Sequence, residues 1–238
     1  MDWDNSLLLL DYTAFTSIYA RFNYRIFINT VAMSTGYYPV ILYPPLARQF
    51  AQGYERQEHL KASFQGCVAL PDGNGTAKQG VSEKNFFRHL LSAFPGNLIC
   101  QAVEFEIPGY PLRYSADFIL YHHSSGLALD IEIDEPYAGD TGKPHHCTDV
   151  DDDKIRNRFF LTRNWGVVRF AEIQVVCHPW GCCKVIAQII ARLTGDNSVF
   201  MLLQKLADVP LQKCWTRREA RLMAKNNYRQ SYLQSRYQ

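Results

Sequence analysis

Downstream of residue 80, apolar positions recur first at helical spacing and then at strand spacing. Phe86, Phe87, Leu90, Leu91 and Phe94 follow Ser82, which is placed to cap a helix, and Pro95-Gly96 ends it. Glu83 falls in the first turn of that helix. Leu98 to Ile107 alternates in part and predicts a strand, closed by a Pro108-Gly109 turn. Two further strand-like runs, Arg113 to Tyr121 and Leu127 to Asp134, flank a hairpin connection at His123-Ser124-Ser125-Gly126.

The second of these runs alternates strictly. Leu127, Leu129, Ile131 and Ile133 take one side, while Asp130, Glu132 and Asp134 take the other. A turn centred between Ser124 and Ser125 sets Asp117 opposite Glu132, with both side chains on the same face. Three or four carboxylates then share one patch, where they repel and raise one another's pKa. Stability alone does not call for such a patch, and a divalent cation would resolve the conflict.

Further along, the acidic run Asp149 to Asp153 leads into a predicted helix over Lys154 to Leu161, its acids at the end that the helix dipole favours. Val167 to Phe170 reads as the next strand. Lys184 to Leu193, Val199 to Ala207 and Trp215 to Leu233 read as helices, the first two parted by Gly195-Asp196-Asn197. Before residue 80 the pattern is weaker. Ser17 to Asn29 fits helix or strand equally, Tyr37 to Tyr43 is a short apolar run closed by Pro44-Pro45, and the glycine-bearing stretch from Pro71 to Gly80 has the composition of a loop. The domain reading is an N-terminal extension at 1–80, an α/β core at 81–204 and a basic helical tail at 205–238.

Composition changes the picture in three ways. With 47% hydrophobic residues, 14 Tyr and 14 Phe among 238 positions, the chain can bury a full core, which excludes a wholly disordered protein. Seven irregularly spaced cysteines suit reduced thiols better than a disulfide framework. No apolar run approaches the ~18 residues that span a bilayer, and Leu7 to Leu10 is short for a signal peptide and has acidic flanks, so a cytoplasmic protein is expected. The net charge of +2 hides an asymmetry: residues 205–238 carry eight Lys/Arg against two Asp/Glu, leaving 17 against 21 in the rest. A basic tail on an acidic body suits a polyanion partner for the one and a cation for the other, or simply a solvated amphipathic helix.

A helix with Glu83, a hairpin with Asp117-Phe118 and Glu132-Ile133-Asp134, a helix with Asp153 and Arg156, and a strand with Val167 to Phe170 together resemble the PD-(D/E)XK nuclease superfamily. The pattern is most similar to the very-short-patch-repair endonucleases and their small relatives, over roughly residues 82–190. No proline precedes Asp117, and Asp134 holds the position of the usual lysine. The resemblance implies a restriction-endonuclease-like α/β fold, with a mixed central sheet flanked by helices, and hydrolysis of DNA phosphodiesters. Mg²⁺, or Mn²⁺ in its place, would neutralise charge on the phosphate and lower the pKa of an attacking water. It implies Asp117 as the central metal ligand, with Glu132 and the following backbone carbonyl beside it. Glu83 would add a ligand or hold a metal-bound water, and Asp134 would orient or deprotonate water. A homodimer would suit cutting of both strands.

Arg156 and Arg169 are candidates for phosphate contacts, although either can equally pair with Asp149 to Asp153. In the tail, Arg217, Arg218, Arg221, Lys225 and Arg229 interleave with Trp215, Tyr228 and Tyr232, the footprint of DNA contact and equally that of a helix docked by its aromatics. His145-His146-Cys147 and the group Cys177-His178 with Cys182-Cys183 offer soft ligands, yet their spacing matches no standard zinc module, so loop histidines and buried thiols are the expected reading and structural Zn²⁺ the exception. One of the two loop histidines is also a candidate acid–base group. His122 and His123 read as turn residues.

Overall fold

Two faces of one sheet organise the protein, and the computed structural model describes this arrangement over residues 36–45, 71, 73–75, 80–107 and 109–234. The elements in chain order are β1 (Tyr37–Tyr38), β2 (Val40–Leu42), β3 (Gly73–Asn74), α1 (Glu83–Ala93), β4 (Leu98–Glu106), β5 (Arg113–His122), β6 (Leu127–Asp134) and α2 (Asp152–Thr162). They continue with β7 (Gly166–Ala171), α3 (Glu172–Cys177), α4 (Pro179–Thr194), α5 (Ser198–Leu203), β8 (Gln212–Lys213), α6 (Arg217–Lys225) and α7 (Tyr228–Leu233).

Six strands form a mixed sheet in the order β2-β7-β6-β5-β4-β3. Neighbours run antiparallel except β6 and β7, which are parallel because the chain crosses over through α2 between them. The β5–β6 hairpin has the register Phe118↔Ile131 through His122↔Leu127, the pairing expected from a turn between Ser124 and Ser125. β7 then sets Arg169 beside Glu132 and Ala171 beside Asp134.

On one face, Phe118, Leu120, Leu129, Ile131 and Ile133 pack with Phe86 and Leu90 of α1 and with Ile186, Ile189 and Ile190 of α4. Phe86 meets Phe118 and Phe170 edge-on at 5.9 and 6.1 Å. Alternation sends Asp130, Glu132 and Asp134 to the other face, which α2 covers. There Phe160 packs edge-on against Phe105 at 5.0 Å, and Trp165 lies 5.3 Å from Phe105. The polar face of β6 is therefore as buried as its apolar face.

Several predicted elements take a different form. The Ser82 side chain does not cap α1; its hydroxyl donates to Glu172 Oε1 at 3.2 Å. The predicted helix at 184–193 begins earlier, at Pro179, whose missing N–H costs nothing in a first turn, and it ends at Gly195 in the left-handed conformation. The predicted helix at 199–207 is the shorter α5. The single tail helix is two, because Asn227 adopts φ 52 between α6 and α7. The ambiguous stretch Ser17 to Asn29 lies outside the described residues.

The boundaries at 80/81 and 204/205 do not coincide with gaps in the structure. Residues 36–238 group as one compact unit. β2 and β3, from before residue 80, pair with β7 and β4, and β8, from the tail, pairs with β1. Trp215 and Ala220 bury against Tyr38, Cys147 and Ala171, so the start of the tail is core. Among the described residues no helix is long and apolar enough to cross a membrane.

Candidate functional site

Asp117 sits where the sheet is broken on both sides. Toward β4 the pairing runs Gln101↔Phe118 and then Val103↔Ala116 in unchanged register, leaving Ala102, at φ 51, and Asp117 as the unpaired positions between them. Toward β6 the ladder stops at Phe118↔Ile131. Beyond it side chains replace the backbone bonds: the Asp117 amide donates to Glu132 Oε1 at 3.1 Å, and the Ile133 amide donates to Asp117 Oδ2 at 2.8 Å. The two strands part there, and both carboxyl groups lie in the opening.

Glu83 joins them from the start of α1. Its carboxylate accepts from the Gly80 amide and from Gln101 Nε2, the latter at 3.0 Å. Burial pushes the Asp117 carboxyl well above the ordinary aspartate range, and the charges of Glu132 and then Glu83 push it further. The Ile133 amide and Arg156 oppose this without reversing it. Glu83 is raised too, chiefly by burial. Among the described residues no lysine or arginine pairs with Asp117, which is the arrangement a cation would relieve.

The other acids of the face are neutralised by arginines. Arg156 donates to Asp130 Oδ2 at 2.9 Å through Nη1 and to Glu132 Oε1 at 2.6 Å through Nη2, with its carbon 4.7 Å above the Phe160 ring. Arg169 holds both oxygens of Asp134, Nε to Oδ2 at 2.9 Å and Nη2 to Oδ1 at 2.7 Å, and reaches Asp153 Oδ1 at 2.8 Å. Asp134 is 1% exposed, so it has neither the open side nor the free oxygen of a group that handles water. Two carboxylates share the one Arg156 guanidinium. Burial first, and then Asp130 and Asp134, accordingly push Glu132 up to about 8 against the pull of Arg156 and Arg169.

No protein-family model, curated protein or solved structure matches this chain.

The geometry sets Asp117 beside Glu132, with Glu83 near enough for its charge to act on Asp117, and separates the expected phosphate contacts into two groups. Arg156, Arg169 and Arg229 are interior, at 9%, 2% and 9% exposed, with their donors taken up by carboxylates and carbonyls. Arg229 grips Glu172, Nε to Oε2 at 2.6 Å and Nη2 to Oε1 at 2.7 Å. Arg217, Arg218, Arg221 and Lys225 are exposed on α6, spaced so that 217, 221 and 225 form one stripe. α6 is fixed close to the loop after β6: the Thr148 amide donates to the Trp215 carbonyl at 2.9 Å, Trp215 Nε1 donates to the His145 carbonyl at 2.8 Å, and Arg217 Nε donates to Asp149 Oδ2 at 3.2 Å.

Glu172 went unnoticed in the sequence. It accepts from Ser82, Arg229 and Tyr232, tying the start of α1, and so Glu83, to the C-terminal helix α7. Nothing local marks it, since its partners are 90, 57 and 60 residues away. Of the other flagged groups, Cys182 and Cys183 are buried in α4, and burial raises both thiols. His122 is latched to Ser125 and Asp196 at 2.8 and 3.2 Å, as befits a turn residue.

Among the described residues two sets of side chains have the spacing of metal ligands, Asp134 with His146 and Asp153, and Glu135 with His145 and His146; Asp117, Glu132 and Glu83 do not form such a set. The centre of the first is taken by Arg169, whose Nη2 lies 2.7 Å from Asp134 Oδ1, 2.8 Å from Asp153 Oδ1 and 2.9 Å from His146 Nδ1.

Proposed function

We propose that this protein is a Mg²⁺-dependent endonuclease of restriction-endonuclease-like fold that hydrolyses phosphodiester bonds in DNA. One observation carries the reading: in a face where arginines neutralise Asp130, Glu132 and Asp134, the Asp117 carboxylate accepts from the Ile133 amide but has no ion-pair partner among the described residues, and the charges of Glu132 and Glu83 act against it. A buried acid left so demands a cation or a proton, and carboxylate oxygen is the ligand that Mg²⁺ prefers. Asp117 and one oxygen of Glu132 would hold the ion, with Glu83 behind them. Bound there, it would stabilise charge on the phosphate and make water a better nucleophile. The sheet break at Asp117 supports the same reading, since strands that part there let a side chain leave the ladder and meet a ligand.

DNA would be held by the exposed cations of α6, Arg217, Arg218, Arg221 and Lys225, through phosphate contacts. The interior arginines Arg156, Arg169 and Arg229 would contribute by fixing the acids instead of by touching phosphate.

A second reading is favoured by the Arg169 clamp on Asp134: a nuclease-fold protein that binds DNA through α6 without cutting it, because the position of the usual lysine is sealed by an ion pair. Nicking of supercoiled plasmid in Mg²⁺ or Mn²⁺ separates the two. Cleavage by the wild type, lost in Asp117→Ala and Glu132→Ala with folding intact, is expected. Full activity in both variants would remove the site from the reaction, and DNA binding without any cleavage would establish the second reading.

A further inference from the structure

On the metal-site reading of Asp117, we infer that Ser82 and Glu172 are positioning residues: through them the C-terminal helix α7 holds Glu83 near Asp117, without contributing a ligand of its own. Serine at the start of a helix ordinarily turns its hydroxyl onto the exposed amides of the first turn. Ser82 does not; it is buried, and its hydroxyl donates sideways to Glu172 Oε1 at 3.2 Å. The first turn of α1 is thereby fastened to another element instead of to itself.

Glu172 is built to receive that hydroxyl. It opens α3 directly after Ala171, the residue that pairs with Asp134 at the end of the sheet. Its buried carboxylate also accepts from Arg229 Nε at 2.6 Å, from Arg229 Nη2 at 2.7 Å and from the Tyr232 hydroxyl at 2.7 Å. Paired with an arginine and closed to solvent, Glu172 is a poor ion ligand and a good anchor. Arg229 is fixed in its turn: its amide donates to the Tyr137 hydroxyl and its Nη1 to the Tyr137 carbonyl, both at 3.0 Å. α7 thus joins α3, the start of α1 and the loop after β6 at one buried point.

Glu83 is the residue that this joint serves. Its carboxylate accepts from the Gly80 amide and, out of β4, from Gln101 Nε2 at 3.0 Å. The fold-back onto residue 80 depends on glycine there, since a Cβ would stand 2.7 Å from Glu83 Oε1. Those bonds aim the carboxylate, whereas the bond from Ser82 to Glu172 fixes the backbone that carries it. Outer partners of this kind orient metal ligands, and losing one weakens metal binding by roughly 10–100-fold. α7 also follows α6 through the single left-handed residue Asn227, so the helix that presents Arg217, Arg221 and Lys225 is continuous with the hold on Glu83.

The test is Mn²⁺ binding to the full chain, followed by the electron paramagnetic resonance of the free ion, which requires no cleavage. Ser82→Ala removes one hydroxyl and leaves Glu172 paired with Arg229, so the variant should fold. Its Mn²⁺ affinity should fall about tenfold, the lower end for a lost outer partner. Tyr232→Phe, which loosens Glu172 from α7 by one hydroxyl, should lower affinity in the same direction. Glu83→Ala should lose at least as much as Ser82→Ala. Adding Ser82→Ala or Tyr232→Phe to Glu83→Ala should then change affinity by less than about twofold, because residues that act through one group are not additive. Wild-type affinity in Ser82→Ala and Tyr232→Phe, or losses that add in full to that of Glu83→Ala, overturns the positioning role. If Asp117→Asn abolishes Mn²⁺ binding while Ser82→Ala and Tyr232→Phe leave it intact, the metal site stands and the positioning role falls. No Mn²⁺ binding by the wild type removes both.

Discussion

The Asp117 amide donates to Glu132 Oε1 at 3.1 Å while Asp117 Oδ2 accepts from the Ile133 amide at 2.8 Å, so each acid closes a backbone bond that the parted strands leave open. Both carboxyl groups thus have a structural task and an electrostatic cost. Changing Asp117 to asparagine separates the two, because an amide oxygen still accepts from Ile133 but carries no charge toward Glu132 and Glu83. In chelator, Asp117→Asn should match or exceed wild-type stability, by on the order of 1 kcal/mol, the scale of a like-charge cross-strand pair. Its stabilisation by Mg²⁺ should vanish. Thermal unfolding with and without the ion reads both, and a loss of several kcal/mol in chelator would mark Asp117 as a purely structural acid.

Arg156 is the cation on which Asp130 and Glu132 depend, and it is buried with them. Removing one partner of a buried ion network leaves uncompensated charge, at a cost of roughly 3–5 kcal/mol. Arg156→Met should therefore lower stability by about that much in urea unfolding. Adding Asp130→Asn to the same chain should recover a good part of it. A penalty under ~1 kcal/mol would show that the network contributes little.

The Glu132 carboxyl, pushed up to about 8 by burial and by Asp130 and Asp134, gives the metal-free protein a pH signature. A carboxyl raised in the fold above its ordinary 4.5 binds a proton more tightly when folded than when unfolded. Its contribution to stability is whole below 4.5 and declines as pH rises to about 8. Melting temperature in chelator should fall across that window, and Glu132→Gln, which stays neutral, should flatten the profile. A wild-type profile no steeper than that of the variant would contradict the shift.

The hairpin and its acid pair were legible because they rest on local rules: a four-residue connection, strict alternation and a register set by the turn. What neutralises those acids was not. Arg169 stands beside Glu132 only through parallel pairing after a crossover, with a long, nearly patternless loop between them. An arginine in Val167 to Phe170 reads the same in sequence whether it faces phosphate or Asp134. α3 was missed because it is six residues long and buries Glu172 and Gln174, so no apolar period announces it. The tail read as one helix because helical spacing continues through Asn226-Asn227, and a single left-handed residue is invisible to periodicity.

The same limit hid which tail cations are exposed and which are interior, and the structure makes that distinction testable. Arg217, Arg221 and Lys225 recur at intervals of four on the exposed side of α6, with Arg218 adjacent, whereas Arg229 is turned inward onto Glu172. Each phosphate contact contributes about 0.9 to the slope of log affinity against log salt on duplex DNA. Replacing Arg218, Arg221 and Lys225 by alanine should lower that slope by about 2–3 and weaken binding at low salt, while leaving the melting temperature within a degree or two of wild type. Arg229→Ala should do the reverse, leaving Glu172 buried without its cation and destabilising the protein by a few kcal/mol with little change in salt slope. Salt-dependent fluorescence anisotropy with a labelled duplex, run beside thermal unfolding, reads both columns of this comparison. Undiminished slope and affinity in the triple variant would take the DNA interface off α6.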